Sequence, residues 1–149
     1  MKKKRFVWLY VIAALVILFG LVQLVPYGHD HNNPPVVNSP TWDSTQTTAL
    51  VKVACMDCHS NETIWPWYSN IAPVSWLIQA DVDEGRARFN MSSWPTNPVA
   101  QQGLVDEMVG IIQEGEMPPM QYTLIHANAR LSAAQQQELI QGLQASVNK

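Results

Sequence analysis

Apolar residues are arranged along this chain in two ways. From Phe6 to Val25 they are continuous: FVWLYVIAALVILFGLVQLV holds no charged residue, and Gln23 is its one strongly polar position. Beyond residue 43 they recur at helical spacing between polar positions. Leu50, Val51 and Ala54 predict a first helix over about Ser44–Cys58, capped by Asp43 or Ser44. Val74, Leu77, Ile78, Val82 and Phe89 predict a second, opened by Pro73 and running to Phe89. Leu104, Val105, Met108, Val109 and Ile112 predict a third over Val99–Glu114, closed by Gly115. Leu139, Ile140, Leu143 and Val147 predict a fourth, opened by the capping box Ser132-Ala133-Ala134-Gln135. No paired strand pattern, internal repeat or low-complexity tract is present, so the body reads as all-α, a small four-helix domain.

Twenty apolar residues at 1.5 Å each match a hydrocarbon core of roughly 30 Å. Residues 6–25 are therefore expected to form a transmembrane helix in contact with membrane lipid. Lys2, Lys3, Lys4 and Arg5 precede the run, which predicts a cytoplasmic N-terminus and a single pass through the cytoplasmic membrane, with the body on the periplasmic side. A cleaved signal peptide fits less well. Its apolar region is shorter, about 7–15 residues, and Leu24-Val25-Pro26-Tyr27-Gly28 offers no small-x-small cleavage site. The expected plan is an anchor over 1–25, a linker over 26–42 and a domain over 43–149. The linker carries Pro26, Pro34, Pro35 and Pro40 without periodicity and reads as an extended tether. Its His29 and His31 read as a solvated pair, because two donors on a loose chain fall short of the four that a metal site needs.

Charge narrows the partners. The whole chain is −3; setting Lys2–Arg5 aside leaves five basic residues against twelve acidic ones, a body near −7. That excludes nucleic acid as a partner of the body and fits a protein partner with a basic docking patch.

The chain has two cysteines, in Cys55-Met56-Asp57-Cys58-His59. This is the attachment signature of a c-type haem. Each thiol adds to one porphyrin vinyl group, the two spacer residues set the span, and the adjacent His59 is carried to where its imidazole can ligate iron. One covalent haem c per chain is expected, attached by the c-type cytochrome maturation machinery. The alternatives are weaker. A disulfide here would close a tiny loop of little stabilising value. A dithiol oxidoreductase places its Cys-x-x-Cys at a helix start in a βαβ context, whereas this motif ends a helical pattern. Zinc lacks a second cysteine pair.

A haem of this kind commonly takes a second axial ligand, and methionine raises the reduction potential. Gly115-Glu116-Met117-Pro118-Pro119-Met120 follows the third helix, and prolines limit the entropy lost in holding a sulfur at iron. Met117 is the first choice, Met120 the close rival and His126 the third. Met91 and Met108 read as core fillers. Trp65, Trp67, Tyr68 and Trp76 form a dense aromatic block after His59, read either as a wall of the haem pocket with indole donors for a propionate or as an ordinary small core. Tyr122 and Trp94 read as packing residues.

Cys-x-x-Cys-His with Asn61-Glu62-Thr63, then Trp65-Pro66-Trp67-Tyr68-Ser69-Asn70-Ile71-Ala72-Pro73, then Asp81-Val82-Asp83-Glu84-Gly85-Arg86 and Gly115-Glu116-Met117-Pro118-Pro119, resembles the bacterial haem-binding domain family of small single-haem proteins. The resemblance covers about residues 45–145. It implies haem binding at Cys55, Cys58 and His59, favours Met117 because Glu-Met-Pro-Pro is the recurring string, and implies a propionate role for Arg86, while Arg88 reads as part of a solvated face. Met91 stands where the family more often has Phe. The expected cofactor-binding set is Cys55, Cys58, His59, Met117, Trp65 and Arg86, with His59 and Met117 on the iron. The expected function is a membrane-anchored, cytochrome c-like electron carrier with no catalytic residues. The alternatives are a peroxide- or gas-reactive haem protein and a haem subunit of a larger membrane complex.

Overall fold

The computed structural model describes residues 2–148; the side chains of residues 1–5, among them the basic cluster Lys2–Arg5, lie outside the described residues. Among those described, the chain folds into seven α-helices and two short 3₁₀ turns, with no strand. An isolated bridge joins Asn38 and Ser93.

Helix α1 (Lys2–Val22) carries no charged residue from Phe6 onward. Helix α2 (Thr45–Ala54) is capped by Ser44, whose Oγ accepts from the Thr47 N–H at 3.1 Å. The chain breaks at Cys55 and forms α3 (Met56–His59), a single turn. A 3₁₀ turn at Trp67–Asn70 leads to α4 (Val74–Arg88). Helix α5 (Pro98–Glu114) starts under Asn97, whose Oδ1 accepts from Val99 and Ala100, and ends at Gly115 in the left-handed conformation, φ 75°. Only a residue without Cβ takes that cap at no steric cost. Helix α6 (Met120–Ile125) and a 3₁₀ turn at Ala127–Ala129 precede α7 (Ala133–Val147), which Ser132 and Gln135 open with the expected capping box.

The chain divides into two compact units. One comprises Met1–Asn32 with Trp65–Asp81, the other Asn33–Ile64 with Val82–Lys149. In the first unit Gln23 makes a two-way amide clasp: its Nε2 donates to the Ala72 carbonyl at 2.9 Å and its Oε1 accepts from the Ala72 N–H at 2.9 Å. Gly28, φ 82°, lies so near Ser75 that a Cβ would stand 2.6 Å from the Ser75 carbonyl oxygen. His31 stacks on Trp65 with ring centroids 4.7 Å apart, and its Nε2 donates to the Ser69 carbonyl.

The second unit holds the main core. Leu50 and Val51 from α2, Val105, Met108, Val109 and Ile112 from α5, and Leu139, Ile140 and Leu143 from α7 are buried together with Phe89, Met91 and Trp94. Burying such side chains stabilises the fold by about 1.5–3 kcal/mol each. Gly142 lets α7 approach α2: a Cβ there would overlap the Thr47 side chain. Residues 33–44 form no helix and lie pinned in this unit, with Asn33 Nδ2 donating to the Thr63 carbonyl and Asn38 Nδ2 to the Trp94 carbonyl.

The structure corrects the placement in a membrane. Among the described residues no helix is long and apolar enough to cross one. The expected span ran to Val25, but α1 stops at Val22 and Gln23 turns to clasp Ala72. The helical apolar run from Phe6 to Val22 extends roughly 25 Å at 1.5 Å per residue, against a hydrocarbon core of roughly 30 Å. The transmembrane anchor, the lipid contact through 6–25, the single pass through the cytoplasmic membrane and the periplasmic placement of the body are therefore not supported. The α4 stripe also differs: Val74 and Leu77 are exposed, and the buried face runs through Ser75, Val82, Gly85 and Phe89, two of which, Ser75 and Gly85, are small residues outside the expected stripe.

Candidate functional site

The segment Cys55–Ile64 is built by its backbone. Cys55 closes α2, its N–H donating to Val51, and its own carbonyl then accepts from the N–H groups of Cys58 and His59 at 3.3 and 2.9 Å. That bonding makes the single turn α3 and sets the two thiols on either side of the spacer residues. The turn lies hard against α4. A Cβ on Gly85 would stand 2.5 Å from the Cys58 carbonyl oxygen and 3.0 Å from the Cys58 Cβ.

His59 is buried, with its ring stacked on Phe89 at a centroid distance of 4.1 Å and an interplanar angle of 14°. Its Nδ1 is 3.4 Å from the Phe89 carbonyl oxygen. A carbonyl only accepts, so the proton sits on Nδ1 and the Nε2 lone pair is left over. Burial, foremost, lowers the His59 pKa, so the neutral imidazole that metal ligation requires is the favoured form.

The two cysteines are not disulfide-bonded. Burial pushes the Cys55 thiol up to about 12, and the neighbouring Cys58 adds to the rise. A redox dithiol needs a lowered pKa; Cys55 shows the opposite. Among the described residues no group of three or more His, Cys, Asp or Glu converges, so the donors of a tetrahedral zinc site are not assembled.

A hydrogen-bond network surrounds the turn. The Thr63 hydroxyl donates to the Asp57 carbonyl at 2.6 Å, and the Ile64 N–H donates to Asp57 Oδ1 at 3.1 Å. Arg86 Nε donates to the Ser60 carbonyl at 2.8 Å, and its NH2 group donates to Asn33 Oδ1 and Thr63 Oγ1 at 2.8 and 3.0 Å. Arg86 thus holds residues 60–63, immediately after His59. Arg88 is paired with Glu107.

The Met117 loop lies beyond Gly115. Met117 is half-buried, whereas Met120 is 75 % exposed. Tyr122, on α6, donates its hydroxyl to Asp57 Oδ2 at 2.7 Å and reaches the Val53 carbonyl at 3.3 Å. Burial, then Asp57, raises the pKa of that hydroxyl, so it remains a donor. His126 stacks on Tyr122 at 4.0 Å, with Nδ1 donating to the Tyr122 carbonyl.

Cys55, Cys58, His59 and Arg86 belong to one compact unit, as does Met117; Trp65 belongs to the other, against His31. Met91, Met108 and Trp94 are core residues, as expected. A cleft of about 530 Å³ abuts Met56, lined by Trp42, Glu62 and Met91 among others, but its lining includes none of the thiols, His59 or Met117. The residues that sequence reasoning passed over are Asp57, Gly85, Phe89 and Tyr122. Gly85 left a trace, as a glycine inside an otherwise regular helical pattern. The others depend on contacts made only in the fold.

The two thiols, the buried imidazole whose Nδ1 faces the Phe89 carbonyl, and a thioether on a loop tied to the same turn are donors of the kinds that a haem takes. A family model described as a haem-binding domain matches residues 17–145, reaching further back than the motifs do. Neither the curated proteins nor the solved structures yield a match.

Proposed function

The chain belongs to the haem-binding domain family, and on that premise we propose that it is a cytochrome c-like electron carrier with one covalently held haem c. Cys55 and Cys58 would form the thioether links, His59 would ligate iron through Nε2, and Met117 would be the second axial ligand. The observation that carries this reading is the one-turn helix Met56–His59, which holds Cys58, is preceded by Cys55 at its N-cap, and has the His59 Nδ1 proton directed to the Phe89 carbonyl. A hydrogen bond of that kind fixes the tautomer and raises the basicity of the ligating nitrogen.

The iron, when bound, supplies one-electron ferrous–ferric chemistry. The residues around it do the rest. Phe89 and Gly85 fix the ring and backbone of the ligand turn, Arg86 and Thr63 hold the segment beyond it, and burial of His59 excludes water from that side. Were His59 and Met117 both to ligate the iron, no coordination position would be left for a substrate, and that would favour a carrier over an enzyme. The net charge of the body supports a redox partner with a basic patch, and thioether formation implies the c-type maturation machinery.

The test is a haem stain on a denaturing gel and a pyridine haemochrome spectrum of the full chain co-expressed with that machinery. A stained band at 16.7 kDa plus one haem, with a thioether-type spectrum, is expected. An unstained band would remove covalent attachment. Fast carbon monoxide binding to the ferrous form would remove the carrier reading in favour of a gas-reactive one.

A further inference from the structure

Asp57 is the second spacer residue of the attachment motif, and covalent attachment asks only that two residues stand there. Asp57 nevertheless works in two directions. Its Oδ1 accepts from the Ile64 N–H at 3.1 Å, and its Oδ2 accepts from the Tyr122 hydroxyl at 2.7 Å, across 65 positions of sequence. A hydroxyl donating to a carboxylate is among the strong hydrogen bonds.

Tyr122 lies five residues beyond Met117, on a helix of six residues that opens at Met120, directly after Pro119. So short a helix does not hold itself in place. Its apolar Met120, Leu124 and Ile125 are exposed and do not anchor it in the core. What joins it to the attachment turn is the Tyr122 ring: its hydroxyl is on Asp57 and its face is covered by His126, whose Nδ1 donates to the Tyr122 carbonyl. Prolines 118 and 119 stiffen the chain between Met117 and this anchor.

We propose that Tyr122 is a positioning residue, whose hydrogen bond to Asp57 ties the Met117 loop to the attachment turn and so sets how firmly the Met117 sulfur holds iron. The inference rests on the reading of Met117 as axial ligand. It gives His126 the role of backing Tyr122, and it makes the second spacer of the motif a determinant of the sixth ligand. Losing a hydrogen bond to a charged group shifts an equilibrium by about ten- to a hundredfold.

The experiment compares full-length holoproteins: the natural chain, Tyr122→Phe, Asp57→Asn and the double variant. The readouts are the long-wavelength charge-transfer absorption of a thioether–iron bond in the ferric state, and the rate of carbon monoxide binding to the ferrous state. Tyr122→Phe is expected to keep its covalent haem, lose much of the thioether–iron band and bind carbon monoxide about tenfold faster or more. Asp57→Asn acts from the other end with its volume conserved: its one amide oxygen cannot serve the Ile64 N–H and the Tyr122 hydroxyl as the two carboxylate oxygens do, and the charge is gone. It is expected to move both readouts the same way, and the double variant to go no further than the single ones. Should Tyr122→Phe fail to accumulate, Asp57→Asn decides alone. Band and rate unchanged in a variant, with the band present in the natural chain, would overturn the proposal and leave Met117 as ligand. A natural chain without the band would overturn the Met117 reading and this inference with it.

Discussion

The stretches Cys55–Ile64 and Gly115–Ala129 each carry a donor proposed for iron, and the chain holds them by different means. In the first, successive carbonyl and side-chain groups are engaged: Cys55 with Cys58 and His59, Asp57 with Thr63 and Ile64, Ser60 and Thr63 with Arg86, His59 with Phe89. In the second, Met117 is half-buried between a glycine cap and two prolines, and the loop reaches the motif through Tyr122. The Cys55 carbonyl beside it and Phe89 and Arg86 further along the chain together over-determine His59 and the residue after it. Met117 depends on a partner 65 positions from Asp57. A strongly bound and a more adjustable ligand on one iron is an arrangement in which the second sets the potential.

The largest effect should come from removing the over-determined ligand. His59→Ala is expected to abolish stable holoprotein, read as loss of the haem-stained band while the polypeptide is still made. A normally stained band would show that the turn alone secures the group and that the contrast between the two stretches is empty.

Next in size is a pair of substitutions in the adjustable stretch. Met117→Ala is expected to keep the covalent haem and convert the ferric spectrum from low-spin to high-spin. Met120→Ala, at a side chain 75 % exposed, should leave the spectrum unchanged. The reverse outcome would move the axial ligand three residues along the chain and cut the link between Met117 and Tyr122.

A third substitution probes how tightly the first stretch is packed. Gly85→Ala puts a methyl group 2.5 Å from the Cys58 carbonyl oxygen, and backbone cannot swing aside as a flexible side chain does. Overpacking of this kind costs about 1–3 kcal/mol, against a gain of up to about 1 kcal/mol from replacing glycine within a helix. A lower denaturation midpoint is expected, and unchanged or raised stability would mean that α4 is free to move away from the turn.

What could be read in the sequence follows the same division. Helices α5 and α7 fall within a residue or so of expectation, because Asn97, Pro98, Gly115, Ser132 and Gln135 are caps whose chemistry acts over one turn. The attachment motif is equally local. The break at Cys55 is not, since no proline or glycine marks it. Helix α6 escaped because its apolar residues face outward and leave no stripe. Tyr122 looked like a packing residue because nothing near it in sequence names Asp57. The length of α1 was misjudged for a related reason: counting apolar residues to Val25 could not foresee that Gln23 would find the Ala72 peptide 49 positions away.

The smallest effect expected concerns protons, and it separates the unattached chain from the attached one. In the folded chain the Cys55 thiol is pushed up from 9.0 to about 12, chiefly by burial. A raised acid pKa means that the folded state keeps a proton the unfolded state gives up, so this contribution to stability is complete below pH 9 and is lost as pH rises toward 12. The loss is at most about 1.4 kcal/mol per pH unit. Tyr122, also raised, acts in the same direction from its ordinary value of 10.0 upward. Urea denaturation of the haem-free chain between pH 8 and roughly 10.5, a window chosen to span both ordinary values, should therefore show falling stability. Cys55→Ala should flatten the decline in its lower half, where tyrosine has not begun to titrate. The holoprotein, its sulfur bound as a thioether with no proton to lose, should match that variant in slope. If the natural haem-free chain, Cys55→Ala and the holoprotein all decline alike, the thiol is in contact with water, and the turn is less closed than its packing against Gly85 indicates.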